Sequence, residues 1–519
     1  MNIIIYIHRR DLRINDNLSL YKCLSTENSL VVPIFIFDEN QIIQNERNKY
    51  YFSKKSAYFI INSVIDLKEQ YNKIGSDLLV LYGEPIECLE KLIKKIKNVY
   101  AIGYNLDYSK YSLKRDKEIN KVCKNYNCLI INDTDMSDYC LIPWTGLVKD
   151  VNVGYKQFGA FYKNSIKTKV VEPLSYKKLY NKFISKKSFN KSFETIDFSQ
   201  KDFEDLMDPT LKFLDEGNRL LNWKKKKDKS QWLNAGRINC SVRLKKMTNH
   251  LKTYNIDRNT LSYETSNISA YLNIGSVSIR EIYVYMRNNI GQNTELIKQL
   301  YWRDFYLTST IYLEHGNEYY HMDNRYNLLK WHSNPPKTQK DKENYKQMHD
   351  YWKLMLTAKT GFLLIDAGMN ELIHTGFLHG RLRMILAMFW TKYLLINPFD
   401  NKYGSQTGYS KLLVDAIGAS QNKLNHQWVT EFDFPGKKFS PSNARLAGRP
   451  MRIDNEQIKK FDPECVYIKK WLPHLKNIDN KDIYKWSETI SEKYNNIHPS
   501  PIFDPKEKYK QWIDLCSNT

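Results

Sequence analysis

The sequence predicts two folded parts in one chain. An N-terminal α/β domain with a doubly wound parallel sheet is joined by a long linker to a large all-α domain. Three observations predict this. Strand and helix signals alternate over the first 132 residues. Helical periodicity dominates from Leu206 onward. The stretch between is rich in lysine and has little periodicity of either kind. The expected division is therefore 1–132, 133–204 and 205–519.

Within the first part, strands are expected at Asn2–Ile7, Leu30–Ile36, Asp77–Leu81, Val99–Gly103 and Cys128–Asn132. Each is a short run of apolar residues. Helices fit between them, as at Ser53–Gln70 and Pro85–Ile96. This βαβα rhythm puts helices on both faces of a parallel sheet, and such sheets bind ligands at the carboxyl ends of their strands. No G-x-G-x-x-G follows the first strand and no G-x-x-x-x-G-K-[ST] is present, which counts against dinucleotide dehydrogenases and P-loop NTPases. In the helical part, Ser278–Asn289, Glu295–Glu314 and His379–Ile396 have amphipathic or buried-helix character. No repeat with a period of about 20–50 residues is evident.

Composition narrows the function. The chain has 519 residues, 42% hydrophobic and 26% charged, which reads as soluble and globular. No apolar run approaches a membrane span. The apolar start Ile3–Ile7 meets His8, Arg9, Arg10 and Asp11, so it reads as a first strand and not a signal peptide. The eight cysteines are scattered and form no C-x-x-C pair, which argues against a zinc or iron–sulfur site and for a reducing, intracellular setting. The net charge of +22 points to a polyanionic partner. Lysine-rich composition drift is the plainer explanation of part of that excess.

Three segments carry the chemistry. On a helix, Gln299, Trp302, Arg303 and Tyr306 share one face, joining an amide, an indole, a guanidinium and a phenol. The plain alternative is a core helix with a snorkelling arginine. In Asp366–Met384, Gly376 can end one helix in a left-handed cap. The next helix then carries Gly380 and Met384 on one face near Arg381, while Arg383 points elsewhere. Two arginines aimed apart suggest two anionic targets, or simply a cationic helix edge. In Glu264–Leu272, Thr265, Ser266 and Asn267 precede a helix. Ordinary capping explains them, and so does a phosphate site.

Together and in this order, these segments resemble the photolyase/cryptochrome family of flavoproteins over most of the chain. His8–Arg13 with Asp16-Asn17 looks like the opening R-R-D-L-R…D-N. Thr265-Ser266-x-Ile268-Ser269-x-Tyr271-Leu272 is similar to T-S-x-L-S-x-Y-L. Trp302–Tyr306 matches W-R-[DE]-F-[FY], and Thr375–Met384 resembles T-G-W-x-H-N-R-x-R-M. Phe461–Pro463, Tyr467-Ile468 and Trp471–Pro473 resemble F-D-P-x-x-x-Y-I-x-x-W-x-P. Pro499–Asp504 resembles Y-P-x-P-I-V-D.

The resemblance implies a helical domain that binds FAD, and light-driven repair of cyclobutane pyrimidine dimers in UV-damaged DNA by electron transfer from the reduced flavin to a flipped-out lesion. Position by position, it puts Tyr254 on the flavin's phosphate side and Thr265, Ser266, Ile268 and Ser269 at its pyrophosphate. Arg303 would contact the cofactor. Arg383 would lie by the isoalloxazine, paired with Asp415, and Gln421 would face flavin N5. Trp302 would stack on the lesion. Gly380, Arg381 and Met384 would line the lesion side, and Arg258 and Gln457 would touch DNA. The catalytic set is thus Trp302, Gln299, Met384 and Gln421.

The sequence departs from the common pattern of the family at two places. Gln299 stands where cyclobutane-dimer enzymes usually carry Glu. The (6-4) photolyases carry Gln there, but their histidine pair falls on Gly380 and Met384, and methionine is what the cyclobutane type uses. The usual reducing tryptophans are also altered. Trp331 aligns with the outermost, while the middle falls on Pro398 and the innermost on Asn425 or His426. Trp390, Tyr393 and Trp428 are the alternative electron route. A second antenna chromophore of folate or deazaflavin type is left open, because the folate-binding Glu of some members falls near Ser112, with Tyr104, Asn105 and Tyr111 close by. The leading expectation is a monomeric cyclobutane-dimer photolyase with no membrane association. A (6-4) photolyase and a cryptochrome-type blue-light sensor are the alternatives.

Overall fold

The computed structural model describes residues 2–38, 54–133, 137–149, 154–155, 157–193, 234–312, 329–397, 400, 403, 453 and 456–517. These form two compact units. The first gathers the described residues of Met1–Lys252 and Ser266–Tyr312, and the second gathers Thr253–Thr265 and the described residues from 329 onward.

In the first unit, β1 (Asn2–His8), β2 (Ser29–Phe37), β3 (Leu79–Tyr82), β4 (Val99–Gly103) and β5 (Leu129–Ile131) form one parallel sheet in the order β3-β2-β1-β4-β5. Register is set by pairs such as Ile5 with Val32 and Ile5 with Ile102. Both faces are covered, so the strands read as unbroken apolar runs. Ile5, Val32, Ile34, Leu79 and Ile102 are fully or almost fully buried. The order reverses at β1, the topological switch point of such sheets.

The helices between strands are α1 (Leu18–Ser25), α2 (Lys54–Lys73), α3 (Pro85–Lys95) and α4 (Lys110–Asn125). Local chemistry starts them. The Asn17 side chain accepts from the Leu20 amide, and Glu84 from the Ile86 and Glu87 amides ahead of Pro85. Five sequence-expected strands are therefore five strands, and the fold class is the expected one.

The opening R-R-D-L-R…D-N segment is a structural knot. Arg13 donates to Asp138 at 2.6 Å. Arg280 Nε donates to Asp16 at 2.9 Å, the Leu174 amide donates to the same carboxylate at 2.9 Å, and Ser278 also donates to it. Arg13, Asp16, Asp138 and Arg280 are all buried. Gly275 packs against this segment with φ +69, and a Cβ there would run into the Arg10 carbonyl.

The stretch read as a linker with little core is more built than that. Tyr139, Cys140, Leu141 and Phe161 are buried, and Phe161 lies in a helix, α5 (Phe158–Ser165). Lysine spacing hid this, because the apolar anchors are too few for a periodic signal. The unit is completed by α6 (Gly236–Leu251), α7 (Ile279–Asn289) and α8 (Glu295–Tyr312). Ser278 and Glu281 cap α7 reciprocally.

The second unit is helical. Its longer helices are α9 (Gln339–Leu356), α10 (Leu363–Thr375), α11 (Gly380–Met388) and α12 (Pro505–Ser517). Gly376 ends α10 in the left-handed conformation (φ 68) that its place in the sequence implied. The expected single helix over His379–Ile396 is broken in geometry, since α11 passes into a π-helical turn at Phe389–Tyr393. Asp366 holds the unit's closing loop. It accepts from the Thr360 and Gly361 amides at 2.9 and 2.8 Å and from His498 Nε2 at 3.0 Å.

Candidate active site

The expected site residues fall in both units. In the first unit, Gln299, Trp302 and Arg303 lie on α8. Gln299 is exposed and Trp302 half-buried. Phe158 of α5 lies flat on the Trp302 ring, with centroids 3.5 Å apart and planes 7° apart. Tyr306 lies one turn on, nearly parallel at 5.6 Å. The Arg303 guanidinium donates to the Tyr139 carbonyl and, at 3.2 Å, to Asp304. Asp304 is fully buried and also accepts from the Leu141 amide at 2.7 Å. Burial pushes its carboxyl up to about 6, against the pull of Arg303.

Ser266, Ile268 and Ser269 also belong to this unit. Asn267 has φ +50 and Ile268 is right-handed helical (φ -94, ψ -3), after which a short helix starts at Ser269. Left-handed followed by right-handed residues turn successive amides to one side, the geometry of an anion nest. The Ser266 carbonyl accepts from Arg243 Nε at 2.6 Å.

In the second unit, Tyr254, Arg258 and Arg381 converge. Arg381 Nε donates to Asn259 Oδ1 at 2.7 Å, and its Nη1 lies 3.8 Å from the Met384 sulfur. Burial, with the like charge of Arg258, lowers the Arg381 guanidinium's pKa from its ordinary value. Gly380 opens α11, and a Cβ there would meet nothing within 4 Å. His379 caps α11, its Nδ1 accepting from the Arg381 amide at 3.2 Å. Burial plus Arg381 and Arg383 hold this imidazole neutral, its pKa lowered to about 4.

Arg383 is buried and aimed the other way, its Nε donating to the Leu378 carbonyl at 2.8 Å and its guanidinium lying over the Phe377 ring at 5.4 Å. Two arginines two residues apart thus do diverge. Thr265 is half-buried, and Gln457 is half-buried on the helix Glu456–Phe461. Asp415, Gln421 and Trp428 lie outside the described residues, as do Pro398, Asn425 and His426.

The other aromatics of the expected electron route take different partners. Trp331 packs on Trp512 at 5.8 Å. Trp390, fully buried, donates to the Tyr403 carbonyl at 2.6 Å, and Tyr393 lies parallel to Phe503 at 6.2 Å. Around the antenna position, Ser112 donates to Asp107 at 2.8 Å, Asn105 to Asp11 at 2.8 Å, and Arg9 lies over Tyr104 at 4.1 Å. Among the described residues no cluster of His, Cys, Asp or Glu could hold a metal.

Comparison with known proteins agrees with these motifs. Residues 4–176 match the family model described as DNA photolyase, and residues 296–518 match the FAD binding domain of DNA photolyase. The chain belongs to the photolyase/cryptochrome family. It is 27% identical to a deoxyribodipyrimidine photo-lyase of Buchnera aphidicola, with all of both chains covered. Among solved structures it is similar to a photolyase from Sulfolobus tokodaii with two FAD molecules, at 27% identity, full coverage of both chains and a TM-score of 0.74. A cryptochrome from Synechocystis matches at 20% identity over 99% of both chains, with a TM-score of 0.74, which speaks for the fold alone.

The helical domain of a photolyase-family chain is its FAD-binding part, and the donor set here suits that cofactor. In the first unit, the Asn267–Ile268 turn between Ser266 and Ser269 offers backbone amides and hydroxyls of the kind that would suit a diphosphate. Arg383 brings a buried positive charge, suited to the anionic form of a reduced flavin. Among the described residues no helix is long and apolar enough to cross a membrane.

Sequence reasoning missed two residues, one in each unit. Glu371 on α10 accepts from the Tyr467 hydroxyl at 2.6 Å. Burial pushes its carboxyl up to about 7 despite Tyr467, Lys470 and Arg383. A lone carboxylate between Met369 and Leu372 was the available signal. Phe158 had none, because its partner is 144 positions away, the difference between 302 and 158.

Proposed function

We propose that the protein repairs cyclobutane pyrimidine dimers in UV-damaged DNA, driven by light. One observation carries this reading: end-to-end similarity, at 27% identity, to an enzyme named deoxyribodipyrimidine photo-lyase. Bound FAD in its reduced form would supply the light-driven one-electron chemistry for opening the cyclobutane ring.

The chain's own residues bind, orient and shield. Thr265, Ser266, Ile268 and Ser269 hold the cofactor's pyrophosphate, with Tyr254 beside it. Arg383 would compensate the negative charge of a bound reduced flavin. Arg303 steadies the cofactor side of α8. Trp302 stacks on the flipped lesion, a contact worth about 1–3 kcal/mol per base in single-strand binders. Gln299 reaches the lesion's polar edge from its exposed position on α8. Gly380 leaves room on the lesion side, where Arg381 and Met384 lie together, and Arg258 and Gln457 meet DNA phosphates. Trp390, Tyr393, Trp331 and Trp428 are the candidate carriers for reducing the flavin. The protein acts as a monomer inside the cell, where DNA is, and an antenna of folate or deazaflavin type remains an open addition.

Gln299 favours a second reading, a (6-4) photolyase. The two are separated by illuminating the reduced protein with oligonucleotides carrying either lesion. Loss of the cyclobutane dimer supports the proposal. Loss of the (6-4) product alone would replace it. No loss of either, with a control enzyme active, would leave a cryptochrome-type sensor.

A further inference from the structure

The aromatic contact between α5 and α8 joins the connector to the proposed lesion platform. Phe158 stacks on one face of Trp302, with centroids 3.5 Å and planes 7° apart. A stacked face cannot also take a base, so a lesion base would have to meet the indole on its other side, on the part of the ring that the offset Tyr306 does not overlap. Phe158 is itself fixed. It stands edge-on to Phe305 at 5.7 Å, and Tyr162 of its own helix lies nearly parallel to it at 5.5 Å. Below it, the fully buried Phe161 packs on Phe305 at 5.4 Å, and Tyr162 meets Tyr301 edge-on at 5.3 Å. Lys298 lies over the outer ring of this group, 5.4 Å from the Tyr162 centroid. The rings Tyr162, Phe158 and Trp302 are thus nearly parallel in sequence of contact, with tilts of 18° and 7°, while Tyr306 is offset from the indole, its centroid 5.6 Å away.

We propose that Phe158 is a positioning residue for lesion recognition, backing Trp302 so that its opposite face is held flat for the flipped base. The proposal rests on the reading of Trp302 as the lesion platform. An indole on a half-buried helix position has rotamer freedom to lose, and a ring stacked behind it removes that freedom before the lesion arrives. The contact is planar and dispersive, so it needs a flat ring and not merely apolar volume.

The test uses full-length, flavin-loaded protein. Affinity for a dimer-containing oligonucleotide over its undamaged counterpart is measured for wild type, Trp302→Ala, Phe158→Ala, Phe158→Leu, Phe158→Tyr and the Trp302→Ala/Phe158→Ala double variant, with thermal midpoint and flavin content alongside. Trp302→Ala should lower the lesion preference about tenfold or more, within the range expected for one lost stack. Phe158→Ala and Phe158→Leu should lower it about fivefold to tenfold, while Phe158→Tyr stays within about twofold. The double variant should be no worse than Trp302→Ala alone, because both act through one ring.

Three results would overturn the role of Phe158 by itself. Unchanged lesion preference in Phe158→Ala, with only the thermal midpoint lowered, would make Phe158 purely structural. Tighter lesion binding in Phe158→Ala would mean that it plugs the lesion's face of Trp302. Additive losses in the double variant would separate the two residues. If Trp302→Ala itself leaves the preference intact while wild type prefers the lesion, the Trp302 assignment falls and this proposal with it. If wild type shows no preference, the repair reading itself is at fault.

Discussion

Removing the Asp16 carboxylate should cost about 3–5 kcal/mol of stability, the range for breaking a buried ion pair by deleting one partner. The magnitude follows from what the alanine would leave behind. Arg280 is buried and takes Asp16 as its nearest carboxylate at 2.9 Å, with Asp138 next at 3.9 Å. The Leu174 amide and the Ser278 hydroxyl lose the same acceptor. Asp138 softens the loss of charge pairing but is already bonded to Arg13 at 2.6 Å. Asp16→Asn keeps an acceptor oxygen and should cost about 1–3 kcal/mol. Arg280→Met should rescue much of the Asp16→Ala loss, giving a coupling of about 2–3 kcal/mol in a double-mutant cycle. Urea unfolding followed by circular dichroism reads these values through the midpoint at unchanged slope. A cost below about 1 kcal/mol, or strictly additive single variants, would refute the claim that the opening motif serves as a buried electrostatic knot.

Three other outcomes are expected. Trp302→Ala should weaken binding of dimer-containing DNA by about 1–3 kcal/mol while flavin stays bound, measured by titration and absorbance. Glu371 is protonated in the folded chain up to about pH 7, against an ordinary value of 4.5. The folded state therefore holds a proton that the unfolded chain lacks between those values, and stability contributed by this group falls as pH rises through that window. Glu371→Gln should flatten the change in unfolding midpoint between pH 5 and pH 8 relative to wild type, and identical pH profiles would contradict the assignment. Gly361 has φ +74, and a Cβ there would strike the Ser500 carbonyl. Gly361→Ala should consequently lower the thermal midpoint, whereas Gly380→Ala, with open space, should not.

Much of this was legible in the sequence for physical reasons. The five strands announced themselves because both sheet faces are covered, which leaves unbroken apolar runs such as Ile3–Ile7. Gly376 was legible because a helix stop followed by a restart needs a left-handed residue. The divergence of Arg381 and Arg383 followed from helical geometry alone, at 200° for two residues. What stayed hidden depends on distant pairing. Arg9, Arg13 and Asp16 look like surface charge in a linear reading, yet Arg13 and Asp16 are buried because their partners arrive from positions 138, 174 and 280. The connector's core was missed because Phe158, Phe161 and Tyr162 each pack on a distant partner of α8. Glu371 titrates near 7 through burial, which composition does not reveal.

The most direct measurement is an action spectrum of repair: dimers lost from a dimer-containing oligonucleotide per photon, with the reduced protein in the light and in the dark. The account predicts loss only under illumination, with a wavelength dependence that follows the absorbance of the reduced flavin on the protein. Flavin-loaded, reduced protein that leaves the dimers intact at every wavelength would contradict it.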